Sequence, residues 1–314
     1  MKYRKLGNSD LNVSVIGQGT WAMGDDFFGN VDEKDCIRAI HASIDAGVNF
    51  VDTAAAYGAD GASEKVVGKA ISDRRDKVIL ATKCGVIRCW EEYVRCLSPV
   101  TVRHEIEDSL RRLKTDYIDL YQIHWPDNNF GIEGALDLLV QFKKEGKIRE
   151  IGVSNFSVEQ IKTAVDRARI VSVQPPFNLL NRESIHNGII PYAYENNLGV
   201  VTYGTLGGGI LTGTMEKPVT GGKELRSAFY PFFNEPLWSK CQELLSVLKK
   251  VADQKGVSVS EISIAWALAQ RGVTVSLMGG ITAGQSVENA KAADVELSRD
   301  EMDLIDTSYS RIMG

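Results

Sequence analysis

The chain reads as α/β of the (β/α)8 TIM barrel class, and three observations predict it. Short β-branched runs alternate with amphipathic stretches about eight times along 314 residues. Each run is almost continuously apolar, as expected of a parallel strand covered on both faces. The doubly wound alternative needs a glycine-rich turn after its first strand, and Gly17-Gln18-Gly19 lacks the third glycine of the dinucleotide fingerprint. A barrel of this kind uses a chain of this length as one domain, taken here as residues 1–314.

The elements follow in order. Residues 3–13 read as a β-hairpin turning at Gly7-Asn8 and capping the barrel bottom. Barrel strands are predicted near 15–17 and at 49–52, 78–82, 118–122, 148–153, 172–175, 200–203 and 273–278. Ser98-Pro99 opens a helix whose apolar stripe is Val102, Ile106, Leu110 and Leu113. Gly146 and Lys147 close the helix before Ile148, and Ser157 with Gln160 has capping-box spacing. Two additional helices exceed the eightfold plan, around 238–255 and 299–309. The irregular stretch 213–236 has the length of a functional lid or a mobile segment.

Composition sets the function classes. With 44% hydrophobic and 25% charged residues the chain has the material for a large core. A net charge of -5 argues against nucleic acid or an anionic membrane as partner. No apolar run is long enough to span a bilayer, and the basic start Met1-Lys2-Tyr3-Arg4-Lys5-Leu6 leads into no apolar signal core. A cytoplasmic protein is the expectation. Of five cysteines, Cys84, Cys89 and Cys96 cluster, but their spacing fits no zinc pattern and no histidine lies among them. They read as reduced structural thiols, with no metal expected.

The chemistry is concentrated at strand ends. Asp52, Lys83 and His124 each follow an apolar run, and in this fold the C-terminal ends of the strands carry the active site. A lysine ending a buried strand needs a counter-charge, and Asp52 on the neighbouring strand is the natural partner. A structural salt bridge alone explains that pair. It does not explain Tyr57 and His124 at the same mouth. A tyrosine beside an ammonium has its phenolate favoured, so the Tyr57 pKa is expected to fall from about 10 and suit a general acid. His124 is expected to hydrogen-bond and orient a substrate oxygen.

On these residues the chain resembles the aldo-keto reductase superfamily. The motifs are Gly47-Val48-Asn49-Phe50-Val51-Asp52-Thr53-Ala54 with Tyr57-Gly58, the run from Ser109 to His124, Ile151-Gly152-Val153-Ser154-Asn155-Phe156, and Gln285 with Glu288-Asn289. The resemblance covers nearly the whole chain. It implies carbonyl–alcohol interconversion with hydride from a nicotinamide dinucleotide bound without a Rossmann fold. Tyr57 would be the proton donor, tuned by Lys83 and Asp52, with His124 orienting the carbonyl. Ser154, Asn155 and Gln174 would hold the nicotinamide carboxamide, and Tyr203 would stack on its ring. Gly204, Leu206, Gly207 and Gly208 would wrap the pyrophosphate, where glycines permit close backbone approach. Gly19, Thr20 and Trp21 would border the same site, and Gly280, Thr282, Gln285, Glu288 and Asn289 the adenosine end.

Two departures from the family pattern stand out. Members preferring NADP(H) carry an Arg or Lys soon after the last strand, where this chain has Ile281-Thr282. Family habit therefore implies NADP(H), and the segment itself leans towards NAD(H) or dual use, since a phosphate without a cation loses its charge-assisted hydrogen bonds. The stretch 59–64 is longer than usual and is expected to reshape the pocket wall.

Trp21, Trp90 and Trp125 are the candidate substrate walls, with Phe27, Phe28 and Tyr93 in reserve. Asp25, Asp26 and Asp127 are hydroxyl-binding candidates, against the plainer reading of solvated loop carboxylates. Aromatic walls with a polar rim favour a small carbonyl compound, sugar or polyol. The oligomeric state stays open between monomer and homo-oligomer. Two other readings remain: a cofactor-sensing subunit of the channel-β type, and a barrel lyase using Lys83 as a Schiff base.

Overall fold

Apolar runs that must be covered on both faces close on themselves here, so that no barrel strand is left with a free edge. The computed structural model describes residues 1–314 apart from 25–30, 90–91 and 219–225. Its strands are β1 (Tyr3–Lys5), β2 (Asn12–Ser14), β3 (Ile16–Gly19), β4 (Phe50–Asp52), β5 (Ile79–Cys84), β6 (Val86–Cys89), β7 (Glu92–Arg95), β8 (Ile118–Ile123), β9 (Ile148–Ser154), β10 (Ile170–Gln174), β11 (Gly199–Thr202) and β12 (Val273–Gly279). Eight of them, β3, β4, β5, β8, β9, β10, β11 and β12, form the closed barrel, with β12 pairing back in parallel onto β3. All eight strands predicted from the sequence are present.

Helices fill the outer layer: α1 (Glu33–Asp45), α2 (Ala62–Ala70), α3 (Pro99–Leu113), α4 (Glu133–Lys144), α5 (Val158–Arg167), α6 (Glu183–His186), α7 (Ile189–Glu195), α8 (Arg226–Phe229), α9 (Leu237–Lys255), α10 (Val259–Ala269), α11 (Ala283–Lys291) and α12 (Arg299–Met313). The predicted start signals hold. Ser98 caps α3 through the Thr101 N–H with Pro99 in the first turn, and Ser157 and Gln160 form a complete capping box. The two additional helices are α9 and α12. Among the described residues no helix is long and apolar enough to cross a membrane.

The hairpin β1–β2 pairs Tyr3 with Ser14 and Lys5 with Asn12. It drives Leu6, Leu11 and Val13 into the barrel, against Phe50, Ala81, Leu120, Val171, Val201, Val275 and Leu277. Around that plug the space is full. A Cβ on Gly17 would lie 2.6 Å from Leu277 Cδ2 and 2.9 Å from Phe50 Cδ1, so only glycine fits there.

Side chains alternate across a strand. Phe50, Ala81 and Leu120 therefore face the apolar floor, and two residues later Asp52, Lys83 and Gln122 face the same interior. This change from apolar to polar within one strand repeat places the site at the C-terminal mouth.

Two segments differ from expectation. The chain after β5 forms an antiparallel hairpin, β6–β7, in register Val86 with Arg95 and Arg88 with Tyr93. The sequence between its two strands, from Cys89 to Glu92, has no Gly, Asn or Pro to mark a turn, so the sequence pattern passes over the hairpin. The stretch 59–64 turns inward: Ser63 and Glu64 are buried, Ser63 bonding Thr20 and Thr53, and Glu64 bonding Thr82 and Arg112. It braces β4 and β5 from outside and is absent from the described pocket wall.

Behind β5, Glu105 of α3 accepts the Gly85 N–H at 2.9 Å through Oε2, while Oε1 is buried without a partner among the described residues. Burial raises this carboxyl from the usual 4.5 to about 8; nearby Glu64 adds to the rise and the Gly85 N–H opposes it. A folded-state pKa above the unfolded value contributes stability at acid pH that is lost as pH rises towards 8. Urea midpoints of the wild type are expected to fall between pH 5 and pH 8, and Glu105→Gln to flatten that fall. Parallel pH profiles for the two proteins would refute the assignment.

Candidate active site

Four side chains meet at the mouth of the barrel. Lys83 ends β5 with its ammonium sealed inside, its side chain 0% exposed and that of Asp52 only 3%. The Lys83 Nζ donates to Asp52 Oδ1 at 2.6 Å, to the Thr53 carbonyl at 3.0 Å and to the Tyr57 hydroxyl at 3.3 Å. An ammonium has three protons, and all three are engaged. The other Asp52 oxygen accepts the side-chain amides of Gln174 at 2.9 Å and Gln122 at 3.3 Å. A buried ion pair is tolerable when its remaining lone pairs are satisfied in this way.

Tyr57 and His124 lie above the pair, partly open to the cleft. Their rings pack edge to face at 5.7 Å. The His124 backbone is fixed from both sides: its N–H donates to the Cys84 carbonyl at 2.9 Å, and its carbonyl accepts Asn155 Nδ2 at 3.0 Å. Burial, and after it the Lys83 charge, holds the imidazole well below its usual range, so the ring is neutral at pH 7. For Lys83, burial lowers the pKa and Asp52 opposes the change.

The expected depression of the Tyr57 pKa is not found. Burial pushes the phenol well above 10, and Asp52 and Tyr230 push the same way. Desolvation of the phenolate outweighs an ammonium whose charge is already balanced by Asp52. Tyr57 is therefore held protonated.

A cavity of about 550 Å3 runs from this cluster across the mouth. Tyr57, Asp52, Gly19, Thr20 and Trp21 line one end, Tyr203, Gly204, Leu206 and Gly208 the middle, and Gln285, Glu288 and Asn289 the far end. Ten of the sixteen positions expected to contact cofactor thus form its wall. Ser154, Asn155, Gln174, Gly207, Gly280 and Thr282 stand behind it. Ser154 Oγ donates to the Gln174 carbonyl, Asn155 Nδ2 also donates to Ser154 Oγ, and Tyr203 OH donates to Asn155 Oδ1 at 2.8 Å. The Gly280 carbonyl accepts Gln18 Nε2, and Thr282 caps α11 through the Gln285 N–H.

The stretch 213–236, expected as one irregular loop, adds wall residues that no motif marks. Arg226 Nη1 donates to the Gly208 carbonyl at 3.4 Å, and Tyr230 covers the glycine turn so closely that a Cβ on Gly208 would lie 2.8 Å from its ring. Phe229 packs edge to face on Trp21 at 5.7 Å. The Phe229–Trp21 contact joins segments 208 residues apart in sequence, the other two bridge 18 and 22 residues, and none has a local signature.

Among substrate-wall candidates, Trp21 lies 6.3 Å from Tyr57 between ring centroids, and Trp125 stacks under the Arg95 guanidinium at 4.3 Å. Tyr93 is on β7, facing Arg88. Trp90, Phe27, Phe28, Asp25 and Asp26 lie outside the described residues. Asp127 is neither solvated nor free for a substrate: it is buried, accepting the N–H groups of Leu97 and Asn129.

Comparison with known proteins matches this arrangement to one family. The model of the Aldo/keto reductase family matches residues 15–310. Aldo-keto reductase YhdN of Bacillus subtilis is 40% identical, over 91% of this chain and 86% of its own length. The NADH-specific methylglyoxal reductase of Escherichia coli is 31% identical over 95% of each chain. Among solved structures, the glycerol dehydrogenase of Gluconobacter oxydans superposes with a TM-score of 0.90 at 36% identity, covering 99% of this chain and 95% of that one. With the barrel, the mouth cluster and these matches in agreement, the chain belongs to the aldo/keto reductase family and is an oxidoreductase.

Proposed function

We propose that the protein, acting as one catalytic domain, interconverts carbonyl and alcohol groups on small aldehydes, ketones, sugars or polyols, with Tyr57 as the proton donor. The observation that carries this reading is the bond from the Lys83 ammonium to the Tyr57 oxygen. That oxygen accepts from Lys83, so its own hydrogen is left to point at a substrate oxygen. When the proton leaves, the phenolate formed lies beside an ammonium already in place, and no reorganisation is needed. Asp52 keeps Lys83 charged in its dry setting. Neutral His124 donates a second hydrogen bond to the substrate oxygen and fixes its direction.

The Schiff-base reading fits less well. A nucleophilic lysine needs a free amine within reach of substrate, whereas Lys83 is sealed and spends its three protons on Asp52, Thr53 and Tyr57.

The cavity has the shape and chemistry for a nicotinamide dinucleotide, which supplies the hydride when bound. Tyr203 offers an aromatic face beside Tyr57, with Ser154, Asn155 and Gln174 as the polar groups behind it. Gly207, Gly208 and Gly209 all take positive φ, and this turn exposes backbone to a phosphate as no other residue type would. Arg226 adds a cation there. At the far end Gln285, Glu288 and Asn289 suit adenosine, and Ile281 lines the wall where a 2'-phosphate partner would stand. The cation departure supports NAD(H) or dual use, and one relative, from Escherichia coli, is named as NADH-specific.

Tyr57→Phe is expected to lower kcat by roughly 10²- to 10⁴-fold, the usual contribution of general acid–base catalysis, and to leave the cofactor dissociation constant within a few-fold. Undiminished turnover, or loss of cofactor binding with it, would sink the assignment of Tyr57. Quenching of tryptophan fluorescence on titration with NADH and NADPH tests the cofactor reading. NADH is expected to bind at least as tightly; a strong preference for NADPH would show that Arg226, Thr282 or backbone amides replace the missing cation, and binding of neither would remove the reductase proposal.

A further inference from the structure

The β6–β7 hairpin leaves β5 directly at the catalytic mouth, with Val86 three residues beyond Lys83. Residues opposite one another in an antiparallel pair share a face, as do alternate residues along each strand. Val86, Arg88, Tyr93 and Arg95 therefore form one face of the ribbon. Arg95 lies over the Trp125 ring at 4.3 Å, so this face turns towards the exit of β8, where Trp125 follows His124 in the chain. Two guanidiniums on this face are each set against an aromatic ring, Arg88 over Tyr93 and Arg95 over Trp125, and Trp125 is the chain neighbour of the residue expected to orient the carbonyl.

Arg95 is exposed, and among the described residues no carboxylate pairs with it. Asp127, the nearest acidic residue along the β8 exit, spends both oxygens on backbone N–H groups. Glu92 lies on the other face of the ribbon. A planar cation held by stacking keeps its fork of N–H donors for a ligand, and the fork matches carboxylate and phosphate oxygens. Stacking also removes much of the rotamer freedom that a surface arginine would lose on binding.

We propose that the Arg95 face of this hairpin is an anion subsite, and that the preferred substrates are carbonyl compounds bearing a carboxylate or phosphate a few atoms from the reacting carbon. This rests on the reading of the Tyr57 mouth as the carbonyl site. It adds a specificity-determining residue on an element that the sequence pattern does not reveal.

The test compares kcat/KM for two matched pairs, succinic semialdehyde against butanal and glyceraldehyde 3-phosphate against glyceraldehyde, in the wild type, Arg95→Met and Arg95→Lys. The wild type is expected to favour the charged member of at least one pair. Arg95→Met is expected to lower that charged-to-neutral ratio about tenfold or more through KM, the scale of one charge-assisted hydrogen bond, with partial recovery in Arg95→Lys. The pair that responds tells carboxylate from phosphate. An arginine that only pins the hairpin would lower both members of a pair alike, and that result overturns the subsite. Turnover of neutral aldehydes without preference for either charged partner also overturns it while the carbonyl assignment stands. No turnover of any of the four overturns both.

Discussion

A charge pair inside the barrel sets the terms for everything around it. Lys83 and Asp52 are held 2.6 Å apart at the top of a core that is hydrocarbon one strand repeat below. Either charge alone would be very costly in that place. The surrounding residues are the ones that make the pair tolerable: Gln122 and Gln174 satisfy the second carboxylate oxygen, and the Thr53 carbonyl takes a lysine proton. The only remaining Lys83 proton goes to Tyr57, so the structural requirement and the proposed chemistry end on the same atom.

The same dry setting decides the protonation states. It holds Tyr57 as the phenol and His124 as the neutral imidazole, two hydrogen-bond donors aimed at one region. A depressed tyrosine pKa is therefore unnecessary for the proposed role. What the ammonium offers is stabilisation of the phenolate at the moment it forms, a transition-state effect rather than a resting-state one.

Around this fixed centre the mouth has two unlike sides. Towards β11, β12 and α11, glycine turns and polar side chains form a long cleft, covered by Arg226, Phe229 and Tyr230 from the segment that follows β11. Towards β5 and β8, a twisted ribbon carries arginines and aromatic rings. The first side suits a large, invariant ligand; the second is built on an insertion whose side chains can change without disturbing a barrel strand, the usual location of specificity in this fold.

The amino-acid pattern alone was enough to place eight strands, because burial on both faces leaves continuous apolar runs, and to mark Asp52, Lys83 and His124, because polar groups at the ends of such runs need a reason. Tyr57, five residues past Asp52, is marked by the motif that carries the family resemblance. Local hydrogen-bonding rules located the caps at Ser98 and Ser157. Tertiary structure decided what depends on distance through space. It set the Tyr57 pKa direction, which follows from desolvation and from a lysine already neutralised by its partner. It gave Asp127 two backbone donors and turned Ser63 and Glu64 inward. It brought Tyr230 onto Gly208 and Arg95 onto Trp125, pairs with no shared periodicity or motif. Sequence periodicity records which face of an element is buried; it carries no term for which remote side chain arrives to cover it.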